Sequence, residues 1–152
     1  MAKRLTHLDE SGAASMVDVS DKPISRREAV ASAFIRLQSE TLELIAENRI
    51  KKGDVLGVAR IAGIGAAKQT QHLIPLCHQL PLSKVGVEFE VRGDGILVTC
   101  TARTTAQTGV EMEALTGASL AALSIYDMCK AVDKEMVVED LKLLAKTKQA
   151  IG

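Results

Sequence analysis

Asp127 and Lys130 lie three residues apart in a stretch, Ala118 to Val132, that is otherwise mostly apolar. On a helix this spacing turns both side chains to one face, within reach of each other or of a shared ligand. An aspartate beside a lysine can supply a base and an acid in one site, because burial and a charged neighbour move both pKa values. Spacing alone favours a plainer reading, a surface ion pair. Upstream, Gly109-Val110-Glu111-Met112-Glu113-Ala114-Leu115-Thr116 sets two carboxylates in or beside a first helical turn, where the helix dipole favours negative charge. The dipole accounts for them. The functional alternative is a carboxylate that accepts from the amino and ring N–H groups of a purine-like ligand.

Other candidates are scattered. His78 closes Pro75-Leu76-Cys77-His78, a loop whose prolines fix its backbone, and an imidazole on a rigid loop suits binding or proton transfer. His72 and His78 flank a helix end and His7 lies far upstream, so zinc-ligand spacing is absent. Cys77 would need an activating base or cation to act as a nucleophile and is read as structural. Lys52 and Lys68 flank one helical stretch and Arg27 opens another. Each is a solvated surface cation unless the fold gathers them around phosphate oxygens. Gly63-Ile64-Gly65-Ala66-Ala67-Lys68 has neither the preceding strand nor the spacing of a P-loop or dinucleotide fingerprint.

The elements that must position these groups follow from the apolar pattern. Residues 1–14 are polar and without period, a flexible N-terminal segment; 15–152 reads as a single domain. Met16-Val17-Asp18-Val19-Ser20 is the first segment with strand character. Ser25-Arg26-Arg27-Glu28 matches a capping box, and Val30, Ala33, Phe34, Leu37, Thr41, Leu44 and Ile45 follow at helical spacing, predicting a helix over about 26–48. A second, Gly- and Ala-rich helix is predicted over about 57–73. Gly63 and Gly65 cost it roughly 1 kcal/mol each relative to Ala, unless close packing against a neighbour offsets the loss. From Lys84 to Val91 apolar and polar residues alternate as in a half-buried strand, and the turn Arg92-Gly93-Asp94-Gly95 leads to a hairpin partner, Ile96 to Arg103. A helix over about 110–132 and a β-rich run from Met136 to Leu144 complete an α+β domain, a sheet covered on one face by helices.

Composition limits the ligand. Nineteen Lys and Arg balance nineteen Asp and Glu, which argues against a nucleic-acid or anionic-membrane surface. Phe34, Phe89 and Tyr126 are the only aromatics, too few for a base-stacking platform, so a ligand is held by hydrogen bonds and charge. No apolar run reaches the roughly 18 residues of a membrane span, and no apolar core follows Met1-Ala2-Lys3-Arg4; a soluble, cytoplasmic protein is expected. Cys77, Cys100 and Cys129, odd in number and without paired spacing, fit free thiols in a reducing compartment.

Laid out in this order, the sequence resembles the MoaC family of molybdenum cofactor biosynthesis, the cyclic pyranopterin monophosphate synthases. Leu73-Ile74-Pro75-Leu76-Cys77-His78, Gly109 to Thr116 and Tyr126-Asp127-Met128-Cys129-Lys130-Ala131 carry the resemblance. Leu5-Thr6-His7, Met16 to Ser20, Lys52-Gly53-Asp54 and Ala59 to Lys68 join them in collinear order. The resemblance implies a ferredoxin-like subunit of a homohexamer, a trimer of dimers, with active sites at subunit interfaces. It also implies a reaction: 3′,8-cyclised dihydro-GTP, supplied by a partner radical SAM enzyme, is rearranged to cyclic pyranopterin monophosphate with loss of pyrophosphate. The family's catalytic residues fall on Asp127, Lys130 and Lys52, and its substrate contacts on Leu76, Cys77, His78, Met112 and Glu113. Arg27 and Lys68 are further candidates for phosphate. In these roles Asp127 would orient Lys130 and keep it charged or accept a proton. Lys130 and Lys52 would act as acids or stabilise the leaving pyrophosphate, while Glu113 and His78 hold the base and sugar. No cofactor is required by the sequence, although magnesium could accompany the triphosphate. Family members usually continue past the final strand with Gly-Gly-Lys-Ser-Gly, whereas this sequence reads Lys146-Thr147-Lys148-Gln149-Ala150-Ile151-Gly152; Lys148 is the residue that could substitute. The competing class is a regulatory or scaffolding module that binds a nucleotide without transforming it, and turnover separates the two.

Overall fold

The computed structural model describes residues 6–151. Strand β1 (Ser25–Arg36) is followed by helices α1 (Ser39–Ala46), α2 (Val55–Lys68) and α3 (Thr70–Leu73). A hairpin of β2 (Leu82–Arg92) and β3 (Gly95–Ala106), the long helix α4 (Glu111–Cys129) and strand β4 (Val137–Ala150) complete the chain. The strands form one antiparallel sheet in the order β2-β3-β1-β4. This βαββαβ succession is the ferredoxin-like arrangement that the family resemblance implies. Along β3, Ile96, Val98, Cys100 and Ala102 are fully buried and join Ala114, Ala118, Ala121 and Ile125 of α4 in one core, so α2 and α4 cover a single face of the sheet.

The stretch predicted as a helix over 26–48 is instead the inner strand β1 followed by the short α1. β1 lies between β3 and β4, and both of its faces lose solvent. Ala29, Ala31, Ala33 and Ile35 enter the core, and Ser32 and Phe34 on the opposite face are also buried. Because Val30, Ser32 and Phe34 on the face away from the helices are also apolar or small, Ala29 to Ile35 reads as a near-continuous apolar run, in which helical spacing occurs by coincidence. The capping-box residues are used differently. Ser25 Oγ accepts from Arg27 Nε at 3.0 Å, and Glu28 accepts from Arg103 Nε across the sheet at 2.8 Å.

The start of α1 is satisfied from far away in the sequence. Gln38 N and Thr41 Oγ1 each donate to Asp133 Oδ2 at 2.9 Å, and Glu135 N donates to Asp133 Oδ1 at 3.1 Å. Burial alone would raise the Asp133 pKa, but the three hydrogen bonds outweigh it and hold the carboxyl below its ordinary value. A depressed folded pKa contributes stability that is present above the unfolded value of about 3.9 and is lost as pH falls through the folded value. Asp133→Ala should therefore lower stability by about 2 kcal/mol near neutral pH, as expected for a lost cap that strands buried donors. Urea unfolding at about pH 7 and about pH 3 should show the gap between the two proteins closing in acid; an equal gap at both would rule out the carboxylate as its source.

Two further boundaries differ from expectation. Met16 to Ser20 runs without a sheet partner rather than as a strand, and β4 extends to Ala150, well past Leu144. Its last residues pair with the start of β1, setting Lys148 opposite Arg27. Of the flexible segment expected over 1–14, positions 1–5 lie outside the described residues, as does Leu5 of the Leu5-Thr6-His7 motif. From Thr6 the chain turns about Asp9, whose Oδ1 accepts from Ser11 N at 2.9 Å and Ala13 N at 3.0 Å. No helix of the described residues is long and apolar enough to cross a membrane.

Candidate functional site

Helix α4 exists because small apolar residues recur on the side that meets the sheet: Ala114, Ala118, Ala121, Ala122 and Ile125 are fully buried. Its charged residues, Glu111, Glu113 and Asp127, lie at its two ends. At the C-terminal end, Asp127 sits between two lysines. Lys130 Nζ lies 2.9 Å from Asp127 Oδ1, and Lys52 Nζ lies 3.0 Å from Asp127 Oδ2. Lys52 also donates to the Asp127 carbonyl at 3.1 Å, one of the carbonyls a helix end leaves without an internal partner. Lys52 reaches it from the turn before α2, where Gly53 adopts φ +114, a conformation that disfavours side chains, and Asp54 caps α2 by accepting from Gly57 N at 3.1 Å.

The electrostatics of this cluster set its protonation. Hydrogen bonds and charge from Lys130, and then from Lys52, depress the Asp127 carboxyl below its ordinary value, and Asp127 in turn raises the Lys130 ammonium. Both side chains are more than half exposed in the single chain. At neutral pH the cluster is therefore one carboxylate between two cations, a net positive centre suited to neutralising an anion.

At the other end of α4, Glu113 is almost wholly buried and lines a cavity of about 330 Å³. Leu76, Cys77 and His78 form one wall, Gly109, Glu111 and Met112 another, and Val17, Val19 and Lys22 of the N-terminal segment a third. His78 Nε2 donates to the Val17 carbonyl, which assigns the hydrogen to that nitrogen. Burial raises the Glu113 pKa and the Glu111 charge adds to the rise, opposed by the backbone amide and by His78. Burial and the Glu113 charge likewise push the Cys77 thiol up, and burial raises Cys100 to about 11, which keeps both as thiols and supports the structural reading of Cys77.

A cleft beside this cavity, sharing Gly109 and Glu111 with it, holds Arg27, Lys146 and Lys148. Arg27 and Lys148 are cross-strand partners, and like charges set opposite each other are unfavourable unless an anion lies between them. Lys146 is 3.8 Å from Glu111 Oε1, which offsets part of this charge. Lys68 lies on a separate small hollow that also touches His78 and Glu113. The structure thus gathers the sequence-derived candidates into two groups, Lys52 with Asp127 and Lys130, and Leu76, Cys77, His78, Met112 and Glu113 with Arg27 and Lys68 nearby. It does not bring the groups together within one chain, because α4 holds their ends about 21 Å apart at 1.5 Å per residue. Sequence reasoning missed Lys22 and Lys146; the first is presented by an irregular segment, and the second gains its neighbours only through pairing of β4 with β1. Among the described residues no three His, Cys, Asp or Glu side chains cluster in a way that could hold a metal ion.

A carboxylate fixed between two ammonium groups, and a second carboxylate buried in a ligand-sized cavity, give this ferredoxin-like α+β chain the character of an enzyme. The sequence profile of the MoaC family matches residues 16–149. Cyclic pyranopterin monophosphate synthases from three strains of Cereibacter sphaeroides are each 56% identical to it over 144 residues, 93% of this chain and 91% of the relative. The chain belongs to the MoaC family.

Proposed function

We propose that this chain catalyses the conversion of 3′,8-cyclised dihydro-GTP to cyclic pyranopterin monophosphate and pyrophosphate in molybdenum cofactor biosynthesis. The observation that carries the mechanism is Asp127 held between Lys52 and Lys130. The reaction needs carbon–nitrogen bonds to break and reform, with proton transfers, and then attack of a hydroxyl on the α-phosphorus with departure of pyrophosphate. Of the two roles open to Asp127, keeping Lys130 charged fits its depressed pKa better than accepting a proton. Lys130 is then the proton donor and Lys52 a fixed cation for the developing charge. Glu113 accepts from the N–H edge of the base, His78 contacts the sugar, and Arg27 with Lys148 attracts phosphate. Magnesium, where it takes part, travels with the triphosphate. The substrate comes from a radical SAM enzyme, and the free thiols of Cys77, Cys100 and Cys129 suit a reducing cytoplasm.

The active site is shared between subunits of a homohexamer. A span of about 21 Å along α4 separates two half-sites that must act on one compact nucleotide. Ile61 and Leu123 leave apolar surface exposed on the α2 and α4 layer, as a contact face would. Pyrophosphate release from the cyclised dihydro-GTP by the pure protein tests the activity; tight binding without release would make it the nucleotide-binding module instead. Mixing tests the sharing. Asp127→Asn and Glu113→Gln proteins, each inactive alone, should together regain about a quarter of wild-type turnover after subunit exchange, the share of random pairings that unite two intact halves. No recovery from subunits shown to have exchanged would confine the site to one chain.

A further inference from the structure

We propose that Lys22 reads the ring carbonyl of the substrate's base, a specificity contact that complements Glu113 and rests on the guanine-derived substrate proposed above. Lys22 and Glu113 line the same cavity from different segments, Lys22 from the N-terminal strap and Glu113 from α4. The strap is pinned against the cavity from two sides. His78 donates to the Val17 carbonyl, and Gln107 Nε2 donates to the Ser20 carbonyl at 3.1 Å. A turn closed by Lys22 N on Val19 O at 3.0 Å then fixes the backbone that carries the ammonium.

Among the described residues Lys22 forms no ion pair, and neither does Glu113, although Glu111 beside it is engaged with Lys146. The cavity therefore offers an ionised donor and a buried acceptor that do not satisfy each other. A ligand fits both when one edge carries adjacent N–H donors for the carboxylate and a carbonyl oxygen for the ammonium. The 2-amino-4-oxopyrimidine ring, shared by guanine and pterins, has that edge. An adenine-type edge would set an amino group against Lys22, and a ring without the 2-amino group would leave Glu113 with an unmet acceptor, the kind of mismatch a buried polar site rejects most strongly.

Calorimetric titration of the intact protein with GTP, 6-thio-GTP and ITP separates the two contacts. Sulfur replaces the ring carbonyl oxygen in the second, and the 2-amino group is missing from the third. The wild type should prefer GTP over each by about tenfold, the worth of one charge-assisted hydrogen bond. Lys22→Met should erase the preference over 6-thio-GTP and keep the preference over ITP; Lys22→Arg should keep both. The proposal is overturned when Lys22→Met weakens all three ligands by the same factor, the mark of a phosphate contact, or leaves both preferences intact. Pyrophosphate release from the cyclised substrate, measured on the same wild-type preparation, distinguishes the failures. If release persists, the Lys22 assignment alone has failed; if it is absent, the proposed activity has failed with it.

Discussion

Asp127→Asn and Lys130→Ala should each lower kcat/KM by about a thousandfold, within the range for loss of positioned acid–base and electrostatic groups, while thermal melting stays within a few degrees of wild type. The separation of rate from stability follows from exposure. Asp127 and Lys130 leave 56% and 57% of their side-chain surface open in the single chain, so their ion pair adds little to folding. The double variant should be scarcely slower than either single one, because the pair acts as one unit and its losses are not additive. A pH profile adds a sharper mark. Asp127 raises the Lys130 pKa, so a rate that needs the ammonium persists above the ordinary lysine range and falls as pH passes the raised value. In Asp127→Asn that support is gone, and the alkaline limb should move to lower pH. Steady-state pyrophosphate release between about pH 7 and 11 reads the shift. Near-normal rates in either single variant, or an unmoved limb, would remove the cluster from the mechanism.

Local periodicity made some elements legible in the sequence and left others opaque for a physical reason. The β2–β3 hairpin and α4 lie close to their expected bounds because each has one covered face, and a single covered face leaves a clean period. β1 does not, since small or apolar residues on both of its faces from Ala29 to Ile35 remove the alternation that identifies a strand. Ser25 and Glu28 then imitated a helix start, while the group that satisfies the start of α1 is Asp133, placed by the chain reversal after α4. The candidate site divides along the same line. Asp127 with Lys130, and Glu111 with Glu113, are legible because helical spacing makes them neighbours. Lys52 joins Asp127 only because the turn before α2 lies against the end of α4, and Arg27 meets Lys148 only through strand register. The motifs that mark the family name several such residues without supplying the geometry, and Lys22 falls outside those motifs altogether.

Gly117→Ala should lower stability by about 2 kcal/mol, near 4–8 °C in melting temperature for a chain of this size, although alanine is the better helix former by roughly 1 kcal/mol. Here close approach outweighs propensity. A Cβ on Gly117 would lie 2.5 Å from Cys100 Sγ on β3 and 3.2 Å from the Gly63 carbonyl on α2, while a Cβ on Gly63 would lie 2.9 Å from the Gly117 carbonyl and 3.0 Å from both Ala121 Cβ and Val87 Cγ2. The two glycines thus let α2 and α4 approach to backbone contact, and Gly63→Ala should destabilise in the same direction. Gly65 provides the control: a Cβ there meets nothing within 4 Å in the chain, so Gly65→Ala should gain up to about 1 kcal/mol from propensity. The packing offset expected for both Gly63 and Gly65 therefore holds at Gly63 alone. Gly117→Ala should also lose turnover by more than its unfolded fraction explains, because the helix pushed off the sheet carries Glu113 at one end and Asp127 at the other. A misplacement of about 1 Å in such groups can cost a hundredfold in rate. Melting curves for the three alanine variants, with pyrophosphate release measured well below each midpoint, check both effects. Equal stability changes at Gly65 and Gly117 would show that helix propensity, rather than the contact of α2 with α4, decides these positions.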